Sequence, residues 1–101
     1  MILRTLPFDA AEGLDDAQSI AYFLEDAFAG GDAAEIAHAL GVVARARGVA
    51  KIAEAAGVTR EALYKSLTAE GDPRLSTLVG VMKALGLRLR PQEIARVRKR
   101  A

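Results

Sequence analysis

Apolar residues recur at helical spacing from about residue 15 to residue 87, and the polar residues between them mark where each helix starts and stops. Ile20, Phe23, Leu24, Ala27 and Phe28 fall three and four residues apart, the period of one helix face. The spacing predicts a helix through DDAQSIAYFLEDAFAGG, with acidic residues in its first turn and Gly30-Gly31 as its stop. Asp32 then caps a second helix, DAAEIAHALGVVARARG, and Glu35 three residues later completes a box-like start. Its apolar stripe is Ile36, Ala39, Leu40, Val43 and Ala44; Arg45 and Arg47 sit near its negative end, before Gly48. Gly41 inside this helix costs about 1 kcal/mol relative to alanine, which a close contact with another helix explains.

The stretch VAKIAEAAGVTREALYKSL, Val49 to Leu67, predicts two short helices set at a tight corner. The first runs from Ala50 to Ala56, the turn is Gly57-Val58, and the second runs from Thr59 to Leu67. Ala53 is small enough for the helices to approach, Gly57 suits the left-handed conformation that ends a helix, and Leu63 fills the angle. Thr59 is a good N-cap, so the second helix begins with exposed amide donors and a positive dipole end. Ala62, Leu63 and Leu67 are expected to face inward, while Arg60, Glu61, Tyr64 and Lys65 form a polar face. That is the layout of a helix-turn-helix whose second helix lies in the DNA major groove. Any two-helix corner needs small residues at its crossing, so the rest of the chain has to weigh in.

After a loop, TAEGDP, the segment RLSTLVGVMKALGL carries Leu75, Leu78, Val79, Met82 and Leu85 at helical spacing. Asp72 is expected to cap this helix, with Pro73 at its first position; Arg74 and the amides after it are then placed to hold a phosphate. Lys51, near the start of the first helix of the pair, is placed to meet a phosphate or a base edge. The four residues LRLR after Gly86 alternate apolar and basic, the pattern of a short strand; alone it is an unpaired edge, which a second copy of the chain would complete. Residues 1–14 contain a proline and a glycine and lack a helical period, so they read as an extended arm whose Ile2, Leu3, Leu6 and Phe8 pack on a helix of this chain or of a partner. The basic tail, residues 90–101, is a frayed helix, a solvated end or an extra phosphate contact.

Composition narrows the choice. A chain of 101 residues with 51% hydrophobic and 5% aromatic residues makes one all-α domain with a core of aliphatic side chains. The absence of cysteine removes disulfides, thiolate nucleophiles and cysteine metal sites, and fits a reducing cytoplasm. With no long apolar run and no signal-peptide pattern, the sequence reads as soluble and intracellular, with no membrane partner. No phosphate-cradling glycine motif occurs, and the lone His38 lacks companions for a metal or general-base role, so no cofactor, metal or catalytic residue is expected and the chain is not read as an enzyme.

The net charge of +1 hides a division. Residues 1–35 carry one basic and eight acidic side chains, a net of −7, whereas residues 36–101 carry thirteen basic and five acidic, a net of +8. A polyanion is drawn to the second part and repelled by the first, and the basic part contains the suspected reading pair.

The order of these elements resembles the Cro/CI-type (lambda repressor-like) fold, five helices in which a further helix packs behind the reading pair. The run IAYFLEDAFAGGDAAEIAHALGVVARARG, followed by IAEAAGVTREALYKSLTAEGDP and VMKALGLRL, is similar to the addiction-module antidote family, the HigA-like antitoxins, over about residues 6 to 89. Its most specific pieces are ARARG at 44–48, TREALYK at 59–65 and GDP at 71–73. The resemblance implies a homodimeric antitoxin that binds the operator of its own operon and neutralises a cognate RelE-like ribonuclease toxin. Ala50 and Lys51 stand where relatives often carry a serine and a glutamine, which replaces a base-reading amide by a cation.

Three functions are thus in view. In an operator-binding antitoxin, Arg60 and Glu61 point toward base edges, Thr59, Tyr64 and Lys65 toward edges or backbone, and Lys51 and Arg74 toward phosphates. A stand-alone phage-type or host repressor shares all of these residues but has no need of the acidic first third. A pure protein-binding module has no need of Arg60 or Lys65.

Overall fold

The computed structural model describes residues 16–94 and is all-helical there, with no strand among the described residues. Helix α1 is Ala17–Gly30, α2 Ala33–Arg47, α3 Val49–Ala56, α4 Arg60–Ser66 and α5 Leu75–Ala84. Short polar or glycine joints separate the first four. Gly31 ends α1 in the left-handed conformation, φ 71°, with its N–H donating to the Phe28 carbonyl. Asp32 caps α2, accepting from the Glu35 N–H at 3.1 Å. At the end of α3, Gly57 has φ 76°, its N–H donates to the Glu54 carbonyl and that of Val58 to the Ala53 carbonyl. This pair of bonds satisfies two end carbonyls and turns the chain sharply toward α4.

All five helices supply one core. Its largest fully buried side chains are Ile20 from α1, Leu40 and Val43 from α2, Leu63 from α4 and Val81 from α5, and α3 adds the buried Ile52 and Ala53 to the same cluster. Helix α5 packs chiefly on α3, and α1 on α2. Small residues set the closest approaches. A Cβ built at Gly80 of α5 would lie 2.7 Å from Cα of Ala56, so the α3 and α5 backbones are nearly in contact. Gly41 does the same for α4, since a Cβ there would run into the carbonyl oxygen of Leu67. The close contact expected of Gly41 is therefore with the backbone at the end of α4.

Several expectations are corrected. Asp16 lies just before α1 as its N-cap rather than inside the first turn. Helix α5 begins at Leu75 with Arg74 as N-cap, so Asp72 is not its cap and Pro73 is not its first residue; Arg74 has an extended backbone, φ −68° and ψ 156°, that cannot belong to a helix starting earlier. Helix α5 keeps Met82, Leu85 and, partly buried, Leu78 of the expected stripe on its inward face but turns two others out. Leu75 is 70% exposed and Val79 39%, while Thr77, Val81, Met82 and Leu85 are buried. The Gly80–Ala56 approach turns the helix so that Thr77 and Val81, one turn apart, meet the core. Residues 87–90 form no strand in the single chain. There the Leu87 N–H donates to the Met82 carbonyl at 2.8 Å, closing the end of α5, and its side chain packs against the core. The arm of residues 1–14 lies outside the described residues, as does the tail beyond Ile94.

Two outcomes follow from these contacts. Gly41→Ala raises helix propensity by about 1 kcal/mol, yet the added methyl has backbone rather than a flexible side chain in its way, so urea unfolding should show a net loss of about 1–3 kcal/mol. A more stable variant would mean that α2 and the end of α4 are free to separate. The second outcome concerns Asp16, whose Oδ1 accepts from the Ser19 N–H and the Ser19 hydroxyl, both at 2.8 Å. The Ser19 N–H, then its hydroxyl, favour the charged carboxylate and hold its pKa below the ordinary 3.8. A depressed folded-state pKa gives a stabilisation that is complete above the unfolded value and fades as pH falls through the folded one. The difference in melting temperature between the native chain and Asp16→Ala should be constant near neutrality and close up in acid below pH 3.8; a difference that persists unchanged there refutes the cap's ionic character.

Candidate nucleic-acid interface

Helix α4 has only seven residues, too few to be stable alone in water. It is held at three points. Leu63 and Leu67 are buried in the core, 1% and 2% exposed, and the Thr59 hydroxyl accepts from the Ala62 N–H at 3.0 Å. At about 100° per residue, Glu61 and Lys65 lie on the side of α4 opposite the Leu63–Leu67 anchor, and Arg60 and Tyr64 form one column along its flank. Arg60, Glu61 and Lys65 are exposed, and Tyr64 is 43% exposed. Ala62, expected inward, is exposed, because about 100° of rotation separates it from Leu63 and no neighbouring helix covers that flank.

Tyr64 is the one member of this face with a foot in the fold. It borders a small crevice with Gly41, Arg45, Val49 and Leu67 where α2, α3 and α4 meet. Arg45 is exposed beside it, and adds a cation that the sequence reading assigned only to the end of the α2 dipole. Its position three residues before Gly48 gave no signal of this; the crevice with Tyr64 exists only once α4 has folded back on α2.

The remaining candidates are placed separately. Thr59 is exposed apart from its cap bond, so the amides of the first turn open outward with it. Lys51 is exposed, but it borders a crevice with Arg47, Ile52, Ala55 and Leu85, on the flank of α3 turned toward the end of α5. Arg74 is exposed at the far end of the loop that leaves α4. All seven residues singled out in the sequence are thus on the surface, with Thr59, Arg60, Glu61, Tyr64 and Lys65 on one short element and Lys51 and Arg74 on its neighbours. Such a surface offers donors, cations and one aromatic edge to a ligand. Among the described residues no group of three or more His, Asp or Glu side chains is placed to hold a metal ion, and no helix is long and apolar enough to cross a membrane.

Residues 4–93 match the model of a family described as "Probable addiction module antidote protein". The chain is 41% identical over 86 residues to a protein of Haemophilus influenzae described as uncharacterized, the match covering 85% of this chain and 89% of that one. No solved structure matches it significantly. With the family match spanning all five described helices, the chain belongs to the addiction-module antidote family.

Proposed function

We propose that this antidote is the antitoxin and transcriptional regulator of a type II toxin–antitoxin module, binding operator DNA as a homodimer and neutralising a RelE-like ribonuclease toxin in the cytoplasm. The observation that carries the DNA half of this reading is the outward face of α4. Five polar side chains opening at Thr59 project from a helix whose other face is buried, at the corner expected of a Cro/CI-type helix-turn-helix. Arg60 has the fork geometry for a guanine edge, and Glu61 accepts from a cytosine amine. Thr59, Tyr64 and Lys65 meet base edges or backbone, and Lys51 and Arg74 supply phosphate contacts that fix position rather than sequence. Arg45, beside Tyr64, joins the phosphate-binding set.

A helix of seven residues spans only a few base pairs. Two copies related by a two-fold axis would read half-sites about one turn of duplex apart and raise both affinity and specificity, which is why the reading includes a homodimer. The family description supports the toxin half, since an antidote implies something to neutralise.

Titration of the chain with its own promoter fragment should give a log–log salt slope of about −5 to −8, the signature of six to nine phosphates met per dimer. Arg60→Ala should cost about 1–3 kcal/mol and relax preference at one base pair, whereas Lys65→Ala should weaken all sequences alike and flatten the slope by about 1. A flat salt response, or full affinity in the Arg60→Ala Lys65→Ala double variant, refutes the DNA reading.

A further inference from the structure

Helices α1 and α2 border an open groove that the DNA-facing corner does not use. It has a volume of about 640 Å³ and is lined by Tyr22, Phe23, Asp26, Glu35 and His38 on the two helices and by Ala69 in the loop after α4, with nothing from α3 or α5. Its floor is aromatic and aliphatic. Tyr22 stands at its edge, 70% exposed, an unusual amount of apolar ring for a side chain with no role in the core. Its rim carries two carboxylates, Asp26 and Glu35, and no lysine or arginine. From residue 16 to residue 44 the chain has no lysine or arginine, but Asp16, Glu25, Asp26, Asp32 and Glu35 all fall there and all are exposed. The cations begin at Arg45, next to Tyr64 of the α4 face.

We infer that the α1–α2 groove is the docking surface for the toxin that this antidote neutralises, which seats an apolar or aromatic anchor against Tyr22 and Phe23 and sets lysines or arginines against Asp26 and Glu35. This assignment rests on the antitoxin reading given above and goes beyond it by naming the surface. Charge decides the occupant. An apolar groove with Asp26 and Glu35 on its rim and no cation among its lining disfavours nucleic acid and other anionic partners and favours a cationic one. Tyrosine beside phenylalanine, bordered by charged residues, is the composition of an interface centre with a polar rim. None of the residues assigned to DNA lines this groove.

The test uses the full-length chain and, as probe, the small protein encoded by the adjacent gene, with binding followed by calorimetry. Tyr22→Ala and Asp26→Lys change exposed side chains outside the core, so both variants should fold; melting curves and an unchanged affinity for the promoter fragment establish that they do. Each should weaken the complex by about 30-fold or more, as expected for an interface centre, and Asp26→Asn should fall between the native chain and Asp26→Lys. If the native chain binds the toxin and both variants bind it equally well, the groove assignment is overturned and the antitoxin reading stands. If the native chain forms no complex with the probe, both are overturned. Dissociation of the chain's own dimer by Tyr22→Ala, with toxin affinity intact, assigns the groove to a second copy and likewise overturns the proposal.

Discussion

The near-contact between Gly41 and the carbonyl of Leu67 is the constraint on which the α4 face depends. A seven-residue helix gains little from its own hydrogen bonds, because nucleation fixes several residues before the first bond repays the cost. The helix must be clamped. Leu63 and Leu67 give it an apolar grip on the core, but two leucines would allow it to roll or slide. Backbone lying on backbone at Gly41 removes that freedom, since the last turn of α4 can rest against α2 at that depth only while residue 41 has no side chain. The Thr59 cap fixes the other end. With both ends set, the orientation of Lys65 and Glu61 follows from helical geometry alone.

The same device recurs between α3 and α5, where Gly80 meets Ala56. The two close approaches work on different sides of the α3–α4 corner, one holding the helix that would read DNA and the other the helix before it. Interiors packed at this density respond to a single methyl group, so the small residues in this chain are structural statements as specific as its leucines. Gly57 adds the third condition, a left-handed turn that a side chain would strain.

How much of this was readable from the residues depends on what each signal measures. Caps that bond within three residues, such as Asp32 to Glu35 and Thr59 to Ala62, are local, and the sequence located them. The α1 stripe was likewise correct, since Ile20 and Leu24 are buried and Phe23, Ala27 and Phe28 pack against them. On α5 the apolar residues outnumber what one face can hold, so periodicity alone could not say which of them turn inward. That choice was made by Gly80 against Ala56, a contact across 24 positions that no local pattern encodes. Pro73 suggested an earlier start to α5 by its preference for the first helical position, but the extended backbone at Arg74 shows that the loop continues through it. Polar positions on α4 were identified as outward because they alternate with Leu63 and Leu67. Ala62 was misplaced because alanine is equally at home on either side. Arg45 and the α1–α2 groove needed the tertiary arrangement, since each arises from residues on different helices.

The division of charge along the chain becomes a division in space only through the order in which the helices pack. Helices α1 and α2 pair with each other, and α3 with both α4 and α5, so the acidic run through residue 35 stays on the α1–α2 pair, while the cations begin in the last turn of α2, where Arg47 acts on the Asp16 carboxylate, and continue through the later elements. Helices α3 and α4 carry Glu54 and Glu61 beside Lys51, Arg60 and Lys65, so within a screening length of about 8–10 Å the carboxylates offset part of the cations' attraction for phosphate. The boundary falls in α2, whose first turn carries Glu35 and whose last carries Arg45 and Arg47. That arrangement also suits the helix dipole at both ends, so a single element satisfies the local electrostatics of its own backbone and the long-range separation of the two faces at once.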